Sequence, residues 1–131
     1  MIDMSLDLLL FSVCGVHFGV EAGQINGVSS YIGERSEDIF WFHEEFEYGA
    51  GVKKYFSPTV ISIKTADSKP YRLIIDSMED IAGFSQSDIR LFPPLLEPLA
   101  MQKGFWGIII RNGVMVLLID FQIFLNRKLK N

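Results

Sequence analysis

The stretch that most constrains the fold lies near the end of the chain, "FWGIIIRNGVMVLLIDFQIFL". Asn112-Gly113 interrupts two β-branched, apolar runs, and an Asn-Gly pair favours the positive φ angles of a two-residue type I′ turn. The twist of that turn matches the strands it joins. A hairpin is therefore expected, with arms Trp106 to Arg111 and Val114 to Asp120. Both arms are almost continuously apolar, so each is expected to be buried on both faces.

Two further hairpins follow from the same reasoning. Leu8 to Val13 and Val16 to Glu21 flank Cys14-Gly15, a tight turn, and Val60 to Lys64 and Tyr71 to Asp76 flank the polar "TADSK". Pro70 then opens a strand, where its missing N–H is tolerated. Three hairpins at this spacing point to an all-β barrel or sandwich. Between them the pattern weakens. "GQINGVSSYIGERSED" is rich in Gly, Ser and charge and reads as loop or a short helical turn. "DIFWFHEEFEYG" combines strand alternation with a helical face at Ile39, Phe42, His43 and Phe46, so a strand passing into a short helix is expected, ended by Gly49 and Gly51. "FPPLLEP" reads as a rigid, extended connection, because three prolines restrict both themselves and their predecessors. The basic tail "NRKLKN" reads as the close of a terminal helix, where cations complement the dipole.

Composition excludes several classes. A chain of 131 residues is long enough to bury its own core, and one domain spanning 1–131 is expected. The net charge is −4 with no basic tract before the last residues, which argues against binding a phosphate backbone. The single cysteine rules out an intrachain disulfide and fits a reducing, cytoplasmic setting. The N-terminal apolar run carries Asp3 and Asp7 where a signal peptide is positive, and is too short to span a bilayer. No membrane insertion is expected.

Asp76, Glu79, Asp80 and Asp88 fall within thirteen residues. A hard-metal site needs several converging oxygens, and the D-x-D-x-D-G calcium spacing is missing. The simpler reading is a strand-end Asp76 capping the next turn, with Glu79 and Asp80 opening a short helix, where carboxylates favour unpaired N–H groups. Cys14, His17 and His43 fall short of a zinc set, and "FHEEFE" has no second histidine at H-E-x-x-H spacing. No glycine motif for phosphate is present, and no cofactor is expected. The aromatic run Phe40, Trp41, Phe42, Phe46, Tyr48, with Tyr55 and Phe56 beyond it, is the best candidate for a partner surface. Phe40, Trp41 and Phe42 are adjacent and cannot all be buried on one side of a sheet, so at least one ring of the cluster is expected to be exposed.

The order of these elements resembles the CheW-like domain, the coupling module of bacterial chemotaxis systems. Members open on an "FxLGxxxYGIxI" strand-turn-strand followed by "xxVxEI", and here "LLFSVCGVHFGVEAGQINGV" fits, with Phe18-Gly19-Val20 at the tyrosine-glycine-isoleucine position. A strand ending "lVDxVxxI", a Pro-containing connection and a "GvxxxxGxxxxLLDxxxxL" hairpin are matched by "YRLIIDSMEDIAGF", "IRLFPPLLEP" and "GFWGIIIRNGVMVLLIDFQIFL". The resemblance implies two SH3-like five-stranded barrels sharing a core, with short helical segments and no enzymatic activity. It also implies protein partners: a chemotaxis-type histidine kinase, a chemoreceptor or another CheW-like protein. Kinase contacts run barrel end to barrel end, and a receptor helix lies in a groove near the barrel junction. The family's N-L-R-G loop is missing between Val28 and Ile39, and its "VxEI" glutamate falls on Gly27, so the first barrel is expected to be shortened. An edge left uncovered by that shortening makes self-association a secondary expectation. Partner contacts are expected at Val20, Ile25 and Val28, carried over from the family frame, and at Phe40, Trp41 and Phe42. The rival readings are a metal-dependent hydrolase using Asp76, Glu79, Asp80 and Asp120, and a stand-alone ligand-binding barrel.

Overall fold

In the computed structural model, which describes residues 5–47 and 54–129, the three hairpins form as expected. β1 (Ser5–Val13) pairs antiparallel with β2 (Val16–Glu21), β5 (Thr59–Ile63) with β6 (Tyr71–Ile75), and β8 (Phe105–Arg111) with β9 (Val114–Ile119). Turn chemistry decides the first and last. Cys14 and Gly15 take φ of 52° and 82°, Asn112 and Gly113 take 52° and 77°, both pairs in the region a type I′ turn needs.

Two sheets result. One runs β7-β1-β2-β9-β8 and the other β3-β5-β6-β4, with β3 at Ile25–Ser30, β4 at Ile39–Trp41 and β7 at Ser77–Ser85. They share a connectivity that no sequence repeat announces. Each has a central antiparallel hairpin, an outer antiparallel strand (β7 or β3), and a parallel neighbour (β9 or β4) that runs into a helix: α3 (Phe121–Leu129) after β9, α1 (Phe42–Glu45) after β4. The five-stranded sheet owns one strand more, β8, and a bridge from Arg90 to Ile108 links that edge to the chain leaving β7. Among the described residues the four-stranded sheet has no counterpart of β8. Its place in the chain is held by residues 31–38, which return from β3 to β4 without forming a ladder. The shortened first barrel is this four-stranded sheet.

Three local expectations are overturned. Ile25–Ser30, read as loop, is a strand, because β5 supplies a register from Ile25↔Ile63 to Ser30↔Thr59 that no local pattern reveals. Ser77–Ser85, read as a turn into a helix, is the nine-residue partner of β1, with a bulge that leaves Glu79 outside the ladder. "FPPLLEP" is not extended throughout: the Leu96 and Glu97 N–H groups both reach the Pro93 carbonyl, and α2 (Glu97–Gln102) begins with Pro98 in its first turn. The closing hairpin also departs from burial on both faces. Ile110 and Met115 face each other across its tip and are exposed, since the arms outrun the core they pack on. The strand-to-helix reading of "DIFWFHEEFEYG" holds, while its stop at Gly49 and Gly51, together with Tyr48, lies outside the described residues.

Alternation along β1 sorts the core. Leu8 and Leu10 point into the five-stranded barrel with Ile109, Val116 and Leu118. Leu9, Phe11 and Val13 point the other way, into a larger core shared with Ile61, Leu73 and Ile75 of the second sheet and with Phe42, Phe46, Phe121 and Phe124 of the helices. Asp76 is the single residue between β6 and β7, where the chain crosses from one sheet to the other. Its N–H reaches the Ser12 carbonyl, and its buried carboxylate accepts from the N–H groups of Phe56 (2.7 Å) and Ser57 (2.8 Å).

Candidate partner groove

The carboxylates that stand close in sequence take separate partners. Asp76 ties down residues 56 and 57, Glu79 meets His17 Nδ1 at 2.8 Å, and Asp80 meets Arg111 at 3.1 Å. Asp88 completes a capping box with Ser85. Asp120 accepts from the Gln122 and Ile123 N–H groups at the start of α3, and from the Gln24 side chain. His43 shares a hydrogen bond with the Tyr55 hydroxyl, and burial raises the pKa of that hydroxyl. Among the described residues no three His, Cys, Asp or Glu side chains gather where a metal ion could be held. The carboxylates work as fastenings between segments.

A sizeable concavity lies elsewhere, a groove of about 590 Å³ between α3 and the start of β4 and β6. Parallel pairing places Phe40 opposite Leu73, on the same face as Tyr71, and the Phe40 and Tyr71 rings stack at 5.1 Å with 23° between planes. α3 forms the opposite wall. Its inner side is pinned by Phe121 and Phe124 in the shared core, by the Phe121 N–H to Gln24 Oε1 (2.8 Å), and by Gln122 Nε2 to the Lys64 carbonyl (2.8 Å). Leu125 and Asn126 are thereby turned to the groove. Lys128, in the last turn of α3, sets its ammonium 4.3 Å from the Phe40 ring centre and 5.3 Å from that of Tyr71, and pairs with Glu45. The Tyr71 hydroxyl donates to the same Glu45 carboxylate; burial, then this bond, raises its pKa and keeps it a donor.

The lip near β4 is set by Asp38. Its carboxylate grips Arg72 through Nε (2.7 Å) and a terminal nitrogen (3.1 Å), while its carbonyl takes the Arg72 N–H (2.8 Å). The Arg72 contact first, and Ser36 second, lower the Asp38 pKa from 3.8 to about 2, and Asp38 raises that of Arg72 in return. A depressed carboxylate stabilises the fold above its unfolded pKa, and that contribution disappears as pH falls through the folded value. Both partners are partly solvated, so about 1 kcal/mol is expected. Asp38→Asn should therefore unfold more easily than the parent near neutrality, with the gap closing between about pH 4 and pH 2 in urea titrations.

The six expected contact residues fall in different places. Phe40 lines the groove; Trp41, on the opposite face of β4, is half-buried between Tyr31 and Tyr55. Phe42 (0% exposed) and Val20 (1%) are core side chains, and have no surface to offer a partner. Ile25 packs against the shared core, and Val28 is exposed on β3, at the far edge of the sheet from β4. Among the described residues, the exposed ring of the aromatic run is Phe56. Nothing in the sequence pattern marks Tyr71, Leu125 and Lys128 as groove residues. The tail's basic charge is the available signal, and by itself it points only to a helix cap.

Two sheets with repeated connectivity, one enlarged by a strand and both packed on one core, define an all-β, CheW-like architecture. The structure superposes on the scaffolding protein TtCheW from Thermoanaerobacter tengcongensis with a TM-score of 0.65, over 89% of this chain and 90% of that one, at 15% identity. At that identity the likeness concerns the fold. No protein-family model and no curated protein matches the chain.

Proposed function

We propose that the chain is a non-enzymatic adaptor of chemotaxis-type signalling, working in the cytoplasm and holding a histidine kinase regulatory domain, a chemoreceptor or another CheW-like protein. The observation that carries this reading is the open groove beside Phe40 and Tyr71, set in a CheW-like fold in which Asp76, Glu79, Asp80 and Asp120 are engaged in holding segments together. Among the described residues no helix is long and apolar enough to cross a membrane. Val28, on the free side of β3, and the exposed leucines Leu91, Leu95, Leu96 and Leu99 offer further contact or self-association surfaces.

The test is capture from the native cytoplasm on immobilised protein. The parent chain should retain a kinase, receptor or CheW-like partner, and Phe40→Ala should weaken retention about tenfold, the effect of truncating an aromatic anchor. Retention of none of these partners by the parent chain would count decisively against the adaptor. A stoichiometric metal in purified protein, lost in Asp120→Asn, would instead favour the hydrolase.

A further inference from the structure

Lys128 does more than end a helix. Among the described residues it alone belongs to the walls of two concavities, the groove of about 590 Å³ and a second of about 320 Å³ lined by Phe46 and Phe124. The place it fills is a built cation site. Two stacked rings present their faces to the ammonium, and Glu45, only 16% exposed and oriented by the Tyr71 hydroxyl, supplies the counter-charge. Lys128 itself is 38% exposed and sits in the last turn of α3, so it can leave at little cost to the core.

Apart from Lys128, the walls of the two concavities carry an excess of acidic residues. Glu37 and Asp67 on one side and Glu44, Glu45 and Glu47 on the other outnumber Lys69, Lys103 and Arg127, while Asp38 is neutralised by Arg72. An apolar floor between acidic walls selects an amphipathic, basic segment. A planar guanidinium also stacks on the Phe40–Tyr71 pair better than an ammonium does.

We propose that Lys128 is an internal stand-in for a partner's cation: the groove takes a basic amphipathic segment whose own Arg or Lys displaces Lys128 from Phe40, Tyr71 and Glu45. This rests on the adaptor reading and adds the partner's chemistry and the latch it must open. Self-competition of this kind lowers the apparent affinity of the parent chain, because only the fraction with the latch open can bind.

The probe is a fluorescein-labelled synthetic helix with leucines on one face and arginines on the other, followed by anisotropy, with a glutamate-faced peptide as control. The parent chain should prefer the basic peptide. Lys128→Ala should bind it roughly three- to tenfold more tightly, the worth of one cation–π and ion-pair contact removed from competition. Glu45→Gln should bind it more weakly, with melting curves confirming that both variants fold. Unchanged or weaker binding by Lys128→Ala, equal binding of the acidic peptide, or self-association of Lys128→Ala in place of peptide binding would each overturn the proposal. Partners captured through Phe40 with no peptide response sink the latch and spare the adaptor. A peptide response without such partners does the reverse.

Discussion

Phe42→Ala is expected to lower the unfolding free energy by about 3–5 kcal/mol, the cost of emptying a large aromatic site in a packed core. Phe42 is fully buried at the point where β4 becomes α1, between the two barrels. Its ring meets Phe11 edge-on at 5.4 Å, lies tilted 4.7 Å from Phe18, and stacks on Phe46 at 4.3 Å. Removing it leaves three rings facing a void too apolar for water. Domains of this size hold roughly 5–15 kcal/mol in reserve, so the loss is a large fraction of the total stability. A fall in urea midpoint with unchanged slope checks the claim, and a loss under about 1 kcal/mol would show that the ring is not where the core needs it. Phe40→Ala, two residues away, should cost much less stability because Phe40 is half-buried at a groove wall, yet it is the substitution expected to lose partners.

The second large effect is at Asp76. Asp76→Ala strands the N–H groups of Phe56 and Ser57 at a site where the residue is only 9% exposed. Leaving such donors without their charged acceptor costs about 2–4 kcal/mol. Asp76→Asn keeps one accepting oxygen and should lose about half as much. Melting temperatures should rank parent, Asn, Ala in that order, and amide exchange at Phe56 and Ser57 should quicken before that of β5. Equal stability of all three proteins would remove Asp76 from its place as the fastening at the sheet crossing.

Much of the architecture was legible because turn geometry is local. Cys14-Gly15 and Asn112-Gly113 set their own φ angles and hence the pairing of neighbours in sequence, Val13↔Val16 and Arg111↔Val114. Strands whose partners lie far along the chain were not legible. β3 has Gly, Asn and Ser where a strand would show alternation, and β7 opens on polar residues. Each is a strand because a distant one, β5 or β1, offers it a ladder. Apolar content likewise predicts burial only where a core lies opposite, and at Ile110 and Met115 none does.

The site follows the same division. Sequence by itself determined the hairpins, the all-β class, the strand-to-helix passage at β4 and the presence of an aromatic run, all consequences of side-chain periodicity and turn chemistry within a few residues. Only the tertiary structure decided which of those rings is core and which is surface, since Phe40 and Phe42 differ in what packs against them and not in kind. It also brought Phe40, Tyr71, Glu45 and Lys128 to one place, although Lys128 stands more than eighty residues from Phe40 in the chain. And it gave Asp76, Glu79 and Asp80, neighbours in sequence, separate partners, by sending the chain from one sheet into the other at Asp76. Proximity along the chain sets backbone conformation; proximity in space, on which recognition depends, is set by how the sheets pair and pack.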